Sequence, residues 1–196
     1  LISRAAKGDA PIYHHAGGSS EDEESAEKES FGRQIYKHLM NGVSHMLPFV
    51  IGGGILIALA FLFDDYNINP ANFGKNTPLA AVLKTIGETS FNFMLPVLAG
   101  YISMSIADRP GLAAGFVGGA LANSGITIAS AFDSNISVVS GGFLGALFAG
   151  FLAGYLVLGI KKVLSFLPQS LEGLKPTLLY PLLGIGLVGA ILLFVN

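Results

Sequence analysis

The chain has 196 residues, of which 52% are hydrophobic and 12% are charged, and its net charge is −2. Soluble domains carry about 25% charged residues, so this composition excludes an ordinary water-soluble enzyme. Because the chain has no cysteine, it also excludes disulfide scaffolds, cysteine-ligated zinc sites and phosphocysteine chemistry. The small net charge gives no reason to expect nucleic-acid binding, which needs clustered Lys and Arg. The remaining class is a helical membrane protein.

The beginning of the chain differs sharply from the rest. Residues 1–37 carry 12 of the 24 charged side chains, and a long apolar body follows. Residues 17–24 read Gly-Gly-Ser-Ser-Glu-Asp-Glu-Glu, a composition that cannot bury enough apolar surface to fold. We therefore predict a flexible acidic linker over residues 14–33. His14 and His15 lie in this linker without further ligands, so we predict no metal site.

Five stretches are long and apolar enough to predict membrane spans, which need about 20 mostly apolar residues. They are residues 35–63, 91–107, 112–131, 142–160 and 178–195. The predicted fold is all-α, a polytopic transmembrane bundle of about five spans. Because the chain starts at Leu1 and the number of spans is odd, we expect it to be a piece of a longer protein.

The segment between the first two spans is too long for a simple turn. Thr77 and Pro78 are typical of a helix N-cap and first position, and Gly87 can end the helix. Apolar residues follow at helical spacing: Leu79, Val82, Leu83 and Ile86. We predict a short amphipathic helix, which either lies at the membrane surface or packs as a lid over the first span.

The distribution of basic residues predicts the orientation. With the N-terminus inside, the cytoplasmic segments carry six basic residues, namely Arg33, Lys37, Arg109, Lys161, Lys162 and Lys175. The outer segments carry only Lys75 and Lys84. Cytoplasmic loops retain Lys and Arg, so the sequence predicts a cytoplasmic N-terminus.

Glycines recur at spacings that let helix backbones approach closely in a bilayer. The rows are Gly111, Gly115 and Gly119, then Gly141 and Gly145, then Gly150 and Gly154. We interpret them as packing seams, either within one chain or between two copies. A second interpretation applies to residues 52–54, where three glycines after Pro48 could break the first span and expose backbone groups to substrate.

Polar groups at membrane depth are costly and are therefore candidates for function. His45 and Asn41 lie one turn apart in the first span, and Asn92 and Asn123 lie in later ones. These groups either bond to neighbouring helices near the interface or bind the hydroxyls of a neutral sugar. Residues 108–111 predict a tight cytoplasmic turn, where Arg109 could also attract a phosphate-bearing partner.

The sequence contains no catalytic constellation that we recognise. No nucleophile is paired with a base, no glycine-rich loop is followed by Lys-Ser or Lys-Thr, and no two carboxylates lie together within a span. We therefore predict no catalytic residue, no metal and no cofactor on this chain.

Three segments of the body carry a resemblance to a known family. Residues 36–59 include Tyr-Lys-His-Leu-Met-Asn-Gly-Val-Ser-His-Met-Leu-Pro-Phe-Val, residues 94–102 include Met-Leu-Pro-Val-Leu-Ala-Gly-Tyr-Ile, and residues 105–119 begin with Ser-Ile-Ala-Asp-Arg-Pro-Gly. Together they resemble fructose-type enzyme IIC, the permease of the bacterial phosphoenolpyruvate-dependent sugar phosphotransferase system. Residues 1–13 look like the tail of a preceding phosphocarrier IIB domain, and residues 34–196 like the N-terminal part of IIC.

The resemblance implies a multi-pass plasma-membrane permease that takes up fructose or a related hexose for phosphorylation by IIB. It also implies a homodimer, and it places the phosphorylated cysteine on IIB and the main sugar motif beyond Asn196. Two other classes stay open on the residues alone. An ion-coupled transporter or channel subunit would need a carboxylate or cation site within a span, and a structural scaffold would need only the glycine seams.

Overall fold

A computed structural model describes residues 30–133, 135–166, 173 and 178–195 of the chain. The chain divides into two units, Leu1–Ile35 and Tyr36–Asn196. Of the first unit only residues 30–35 are described. The predicted IIB tail, residues 1–13, and most of the predicted linker therefore lie outside the described residues. The first helix already begins at Phe31, within the last residues of that predicted linker.

Helices make up most of the described residues, which include no β-strand. The described residues form six α-helices: α1 (Phe31–Leu62), α2 (Pro78–Ala107), α3 (Arg109–Ser124), α4 (Ile128–Phe132), α5 (Gly142–Val163) and α6 (Tyr180–Val195). Short 3-10 turns cover Pro70–Asn72 and Leu164–Phe166. The all-α class predicted from the sequence is confirmed.

Within the described residues, three helices are long and apolar enough to cross a membrane, namely α1, α2 and α5. Helices α3 and α6 have 16 residues each, which gives about 24 Å at 1.5 Å per residue. The third predicted span, residues 112–131, is wrong in its extent. Helix α3 ends at Ser124, and Gly125 then turns the chain with a left-handed φ of 65°. A side chain at Gly125 would collide with the carbonyl of Val139.

Helix α1 runs without a break through Pro48 and the three glycines that follow it. The predicted opening of this helix is therefore wrong. Gly53 instead lies against Gly87 of α2, and a Cβ added to Gly53 would be 3.0 Å from the Gly87 carbonyl oxygen. A Cβ on Gly87 would be 2.8 Å from the Gly53 oxygen. These glycines therefore bring the backbones of two antiparallel helices together.

Helix α2 is continuous over 30 residues. Its predicted start is confirmed, since the Thr77 hydroxyl accepts a hydrogen bond from the Ala80 N–H at 3.3 Å and Pro78 follows. The prediction of a separate short helix ending at Gly87, as a surface helix or a lid, is wrong. A glycine inside a helix costs about 1 kcal/mol relative to alanine, but Gly87 is buried against Ile57 of α1. The close helix contact offsets that cost.

The first glycine row joins α3 to α2 inside one chain. A Cβ on Gly115 would lie 2.7 Å from the Ala99 carbonyl oxygen, and one on Gly119 would lie 2.8 Å from that of Leu95. A Cβ on Gly111, the first residue of the row, would lie 2.6 Å from the Ser103 carbonyl oxygen. The predicted seam is present, and it is a contact within the protomer.

A second glycine seam joins α5 to α2. A Cβ on Gly150 would lie 2.9 Å from the Ala99 carbonyl oxygen, and one on Gly154 would lie 2.8 Å from Cβ of Ile106. In the other predicted pair, Gly145 makes only ordinary contact, 3.4 Å from the Ala122 Cβ. Helix α2 therefore lies against α1, α3 and α5, and its buried residues form the centre of the bundle.

Candidate functional site

Helix α1 presents three polar side chains to α2 along a single face. His38, Asn41 and His45 follow at spacings of three and four residues, which an α-helix places on the same side. They meet Tyr101 and Ser105, which lie one turn apart on α2. We call these five residues the α1–α2 polar cluster.

Asn41 ties the two helices together. Its side-chain Nδ2 donates a hydrogen bond to the carbonyl oxygen of Tyr101 at 2.9 Å, and the residue is half-buried. The neighbouring Gly42 makes this possible, because a Cβ there would be 2.8 Å from the Leu98 carbonyl oxygen. The close approach of the helices thus brings the amide within reach of the opposite backbone.

His45 lies one turn after Asn41 and stays exposed. Its Nδ1 donates a hydrogen bond to the Asn41 carbonyl oxygen at 2.8 Å. Its ring stacks on the ring of Tyr101 with centroids 3.8 Å apart and planes inclined by 10°. One hydrogen bond and one stacking contact therefore fix the imidazole plane.

His38 closes the other end of the cluster. Its Nδ1 lies 2.7 Å from the hydroxyl oxygen of Ser105, and that hydroxyl is 2.8 Å from the Ile102 carbonyl oxygen. The single hydroxyl proton satisfies both contacts if Ser105 donates to the carbonyl and accepts from Nδ1. His38 therefore links the helices in the same manner as Asn41.

Tyr101 is itself held from a third helix. Its ring meets Phe116 of α3 edge-on, with centroids 6.4 Å apart and planes at 61°. Gly100 makes room for this contact, since a Cβ there would be 2.6 Å from the Cε2 atom of Phe116. Helices α1, α2 and α3 all contribute to the position of the His45 ring.

The structure brings together only two of the five residues predicted for a binding site. Asn41 and His45 are adjacent, whereas Asn92 is exposed nine residues before Tyr101, about 14 Å along α2. Arg109 is exposed at the start of α3. Asn123 is half-buried near the end of the same helix, about 21 Å from Arg109 along the helix axis. These three do not join the α1–α2 polar cluster.

Comparison with known proteins identifies the family. Residues 40–196 match the model of the family described as "Phosphotransferase system, EIIC". The chain belongs to the EIIC family. This membership and the apolar helices make it an integral membrane protein, and they give no support to an ion-coupled transporter or channel.

Several curated relatives of this EIIC chain carry fructose in their names. It is 47% identical to a "PTS system fructose-specific EIIABC component" of Bacillus subtilis, over all of this chain and 29% of that protein. It is 47% identical to a "Fructose permease IIC component" of Bacillus amyloliquefaciens, over 66% of this chain and 38% of that protein. A "PTS system fructose-specific EIIC component" of Haloferax volcanii is 36% identical, over 85% of this chain and 45% of that protein. The chain thus spans less than half the length of each.

No solved structure matches this chain.

At the α2–α3 junction of this EIIC chain, the tight turn predicted over residues 108–111 is wrong in its extent, because Arg109, Pro110 and Gly111 already belong to α3. The turn is a single residue, Asp108, whose φ of 58° reverses the chain between the two helices. Its carboxylate pairs with Lys161 of α5 at 3.0 Å, and the same ammonium donates to the Ala107 carbonyl oxygen at 2.6 Å. The ends of α2 and α5 and the start of α3 therefore lie together, and Arg109 is exposed beside them.

The opposite end of α2 carries an ordered loop built around Asp64. Its carboxylate accepts hydrogen bonds from three backbone N–H groups, those of Gly74, Asn76 and Thr77. Burial raises the pKa of Asp64, but these donors bind the charged form, and the net effect holds the pKa below its usual value. The loop is therefore fastened by one ionised side chain.

Sequence reasoning missed Tyr101, His38 and Ser105 as members of the cluster. The spacing of seven residues between His38 and His45 is a signal that both lie on one face of α1. Tyr101 carried no such signal, because an aromatic residue in an apolar helix is ordinary. Among the described residues, no group of three or more His, Asp or Glu side chains could hold a metal ion.

Proposed function

We propose that this chain forms part of a permease of a phosphoenolpyruvate-dependent phosphotransferase system that takes up fructose or a related hexose. The observation that carries the proposal is the family match over residues 40–196, together with relatives whose names specify fructose. In this proposal the sugar is phosphorylated by a IIB domain or protein as it enters the cell. The names EIIABC and EIIBC among the relatives support such a partner.

The α1–α2 polar cluster is the part of the described structure best suited to contact a sugar. His45 is exposed on a helix long enough to span a membrane, and its ring plane is fixed by Asn41 and Tyr101. Ordered polar groups in an otherwise apolar region are typical of binding sites for neutral ligands. Asn92, Asn123 and Arg109 remain separate candidates for contacts with sugar or with a phosphate-bearing partner.

We propose a multi-pass protein of the bacterial plasma membrane with a cytoplasmic N-terminus. Helix α2 is about 45 Å long, and two groups of basic residues lie towards its opposite ends. Lys37, Arg109, Lys161 and Lys162 lie towards the end of the bundle marked by the Asp108–Lys161 pair. Lys75 and Lys84 lie towards the other end. Because cytoplasmic segments retain more Lys and Arg, the first end faces the cytoplasm in this proposal.

A homodimer is part of the proposal as well. The glycine rows 111–119 and 150–154 are already used within the protomer, so a dimer contact would use other faces. Chemical cross-linking of the full-length protein in membranes tests this, and a product of twice the monomer mass is the expected result. Recovery of monomer alone would contradict it.

Uptake of labelled fructose tests the central function. The full-length protein, expressed with its phosphocarrier partners in cells that lack other hexose carriers, is expected to take up sugar only when phosphoenolpyruvate is available. Cells that lack the phosphocarrier serve as the control and are expected to show no uptake. Uptake that continues without a phosphoryl donor and follows a proton or sodium gradient would contradict the proposal.

A further inference from the structure

The contacts of His45 determine which of its nitrogens carries the proton. Its Nδ1 lies 2.8 Å from the Asn41 carbonyl oxygen, and a carbonyl oxygen can only accept a hydrogen bond. Nδ1 must therefore be the protonated nitrogen. In the neutral ring the second nitrogen, Nε2, then carries a lone pair and is an acceptor. Since His45 is exposed and this lone pair has no partner within the described residues, Nε2 is available to a ligand.

The same reasoning fixes the orientation of the Asn41 amide. Its bond to the Tyr101 carbonyl oxygen at 2.9 Å requires the nitrogen, Nδ2, on that side. The amide oxygen, Oδ1, then points away from that carbonyl as a second acceptor, and no bond to it is found in the described part of the chain. Residues four apart on a helix have their Cβ atoms about 5–6 Å apart. The two acceptors therefore lie close enough to serve one small ligand.

We propose that His45 Nε2 and Asn41 Oδ1 act together as hydrogen-bond acceptors for hydroxyl groups of the transported hexose. This inference rests on the proposed function and specifies its chemistry. Sugar hydroxyls donate as well as accept, so they match a pair of acceptors. The stacking of His45 on Tyr101 holds the ring in the plane that presents Nε2. The site thus selects for hydroxyl donors at two positions of the sugar.

Analogues of the sugar provide a direct test, because fluorine in place of a hydroxyl cannot donate a hydrogen bond. The KM of phosphoenolpyruvate-dependent uptake is measured for fructose and for fructose analogues fluorinated at one position each, using the full-length permease and its phosphocarriers. The variants are His45→Phe, which keeps a flat ring and loses both nitrogens, and His45→Gln, which keeps an acceptor. Tyr36→Phe is the matched control, since it also removes a polar group from α1, at an exposed residue outside the α1–α2 polar cluster.

The expected result is a KM for fructose that rises about threefold to tenfold in His45→Phe, the loss of one hydrogen bond. One fluorinated analogue is expected to show a similar rise with the unaltered protein and no further rise with His45→Phe. His45→Gln keeps an acceptor but loses the stacking on Tyr101, so its KM is expected to rise less than that of His45→Phe. Tyr36→Phe is expected to stay within about twofold of the unaltered protein.

Three results would overturn the inference: an unchanged KM in His45→Phe, a rise that is equal for all analogues, or an equal rise in Tyr36→Phe. If His45→Phe does not reach the membrane, the unaltered protein provides the test. The inference is then overturned if every fluorinated analogue has the same KM as fructose. Absence of phosphoenolpyruvate-dependent uptake by the unaltered protein would instead contradict the proposed function. The two failures are therefore distinguishable.

Discussion

The imidazole of His45 lies nearly parallel to the phenol ring of Tyr101, with 3.8 Å between the ring centroids and 10° between the planes. Tyr101 receives a hydrogen bond from Asn41 at its carbonyl and an edge-on contact from Phe116 at its ring. Three helices thus determine the direction of one exposed imidazole. The ring is therefore ordered before any ligand arrives, which lowers the entropic cost of binding.

The substitution Tyr101→Leu removes the stacking partner of His45 and keeps an apolar side chain of moderate size. Aromatic pairs contribute about 0.5–1.5 kcal/mol beyond their buried area. We expect the KM for hexose uptake to rise about twofold to tenfold. Tyr155→Leu, at an exposed tyrosine of α5, is the control and should leave KM unchanged. Equal KM values for both variants would contradict a positioning role for Tyr101.

The seam between α2 and α3 predicts a large effect of one added methyl group. In Gly115→Ala the new Cβ would lie 2.6 Å from the Ser103 Cβ and 2.7 Å from the Ala99 carbonyl oxygen. The helices must move apart, which costs about 1–3 kcal/mol. Thermal unfolding of the full-length protein in detergent should show a lower Tm.

Gly159→Ala provides the matched control for this seam. Gly159 also lies inside a helix, but a Cβ there meets nothing within 4 Å. Alanine has the higher helix propensity, by about 1 kcal/mol, so the Tm should stay the same or rise. A Tm that falls equally in both variants would contradict the seam.

The contacts of Lys161 predict unequal effects for the two partners of one ion pair. Lys161→Met removes the partner of the Ala107 carbonyl oxygen, which should destabilise the protein by about 1–3 kcal/mol. Asp108→Asn removes only an exposed charge, and exposed ion pairs contribute at most about 1 kcal/mol. Asparagine also tolerates the positive φ at this position. Denaturant unfolding of both variants measures the difference in stability. A larger loss of stability in Asp108→Asn would show that the ion pair, and not the hydrogen bond to Ala107, is the more important contact of Lys161.

The carboxylate of Asp64 predicts that the α1–α2 loop loosens in acid. Its pKa is lower in the folded loop than in the unfolded chain, because backbone N–H groups bind the charged form and outweigh the effect of burial, which raises the pKa. The stabilisation is therefore complete above the unfolded pKa and is lost as the pH falls through the folded pKa, below about pH 4. Amide hydrogen exchange at Gly74 and Thr77 should be less protected in this range.

The substitution Asp64→Asn should remove the same protection at neutral pH. Asp65→Asn is the control, because among the described residues the Asp65 carboxylate bonds only within its own turn, to Asn67. We expect faster exchange at the Thr77 amide in Asp64→Asn alone. Similar exchange in both variants would show that Asp64 does not organise the loop.

The basic residues at the two ends of the bundle predict the topology. A reporter fused after Lys162 should be cytoplasmic, and one inserted near Asn72 should be on the outer side. Accessibility of single cysteines at these positions to an impermeant reagent gives an independent measurement, since the chain has no cysteine of its own. The reverse labelling pattern would contradict the proposed orientation.

Local signals predicted several features of the structure correctly. The N-cap at Thr77 depends only on neighbouring residues, and the glycine row from Gly111 to Gly119 depends only on helical periodicity. The turn at Asp108 was also visible in the sequence. Each of these signals is complete within one segment of chain, so no knowledge of the fold was needed.

Features that depend on contacts between segments could not be predicted. Gly87 carries the local signal of a helix end, and only its contact with Gly53 explains why α2 continues through it. For the same reason, only two of the five residues of the cluster were predicted. Asn41 and His45 are polar within an apolar helix, whereas Tyr101 is recognised only by its contacts. The pairing of helices is decided by tertiary packing.

The chemical form of the sugar that accumulates tests the central claim most directly. Membrane vesicles that contain the full-length permease and its phosphocarriers are loaded with phosphoenolpyruvate and given labelled fructose outside. If this chain is part of a phosphotransferase permease, the label should accumulate inside as a hexose phosphate, in proportion to the phosphoenolpyruvate consumed. Accumulation of unmodified fructose, driven by an ion gradient, would contradict the account.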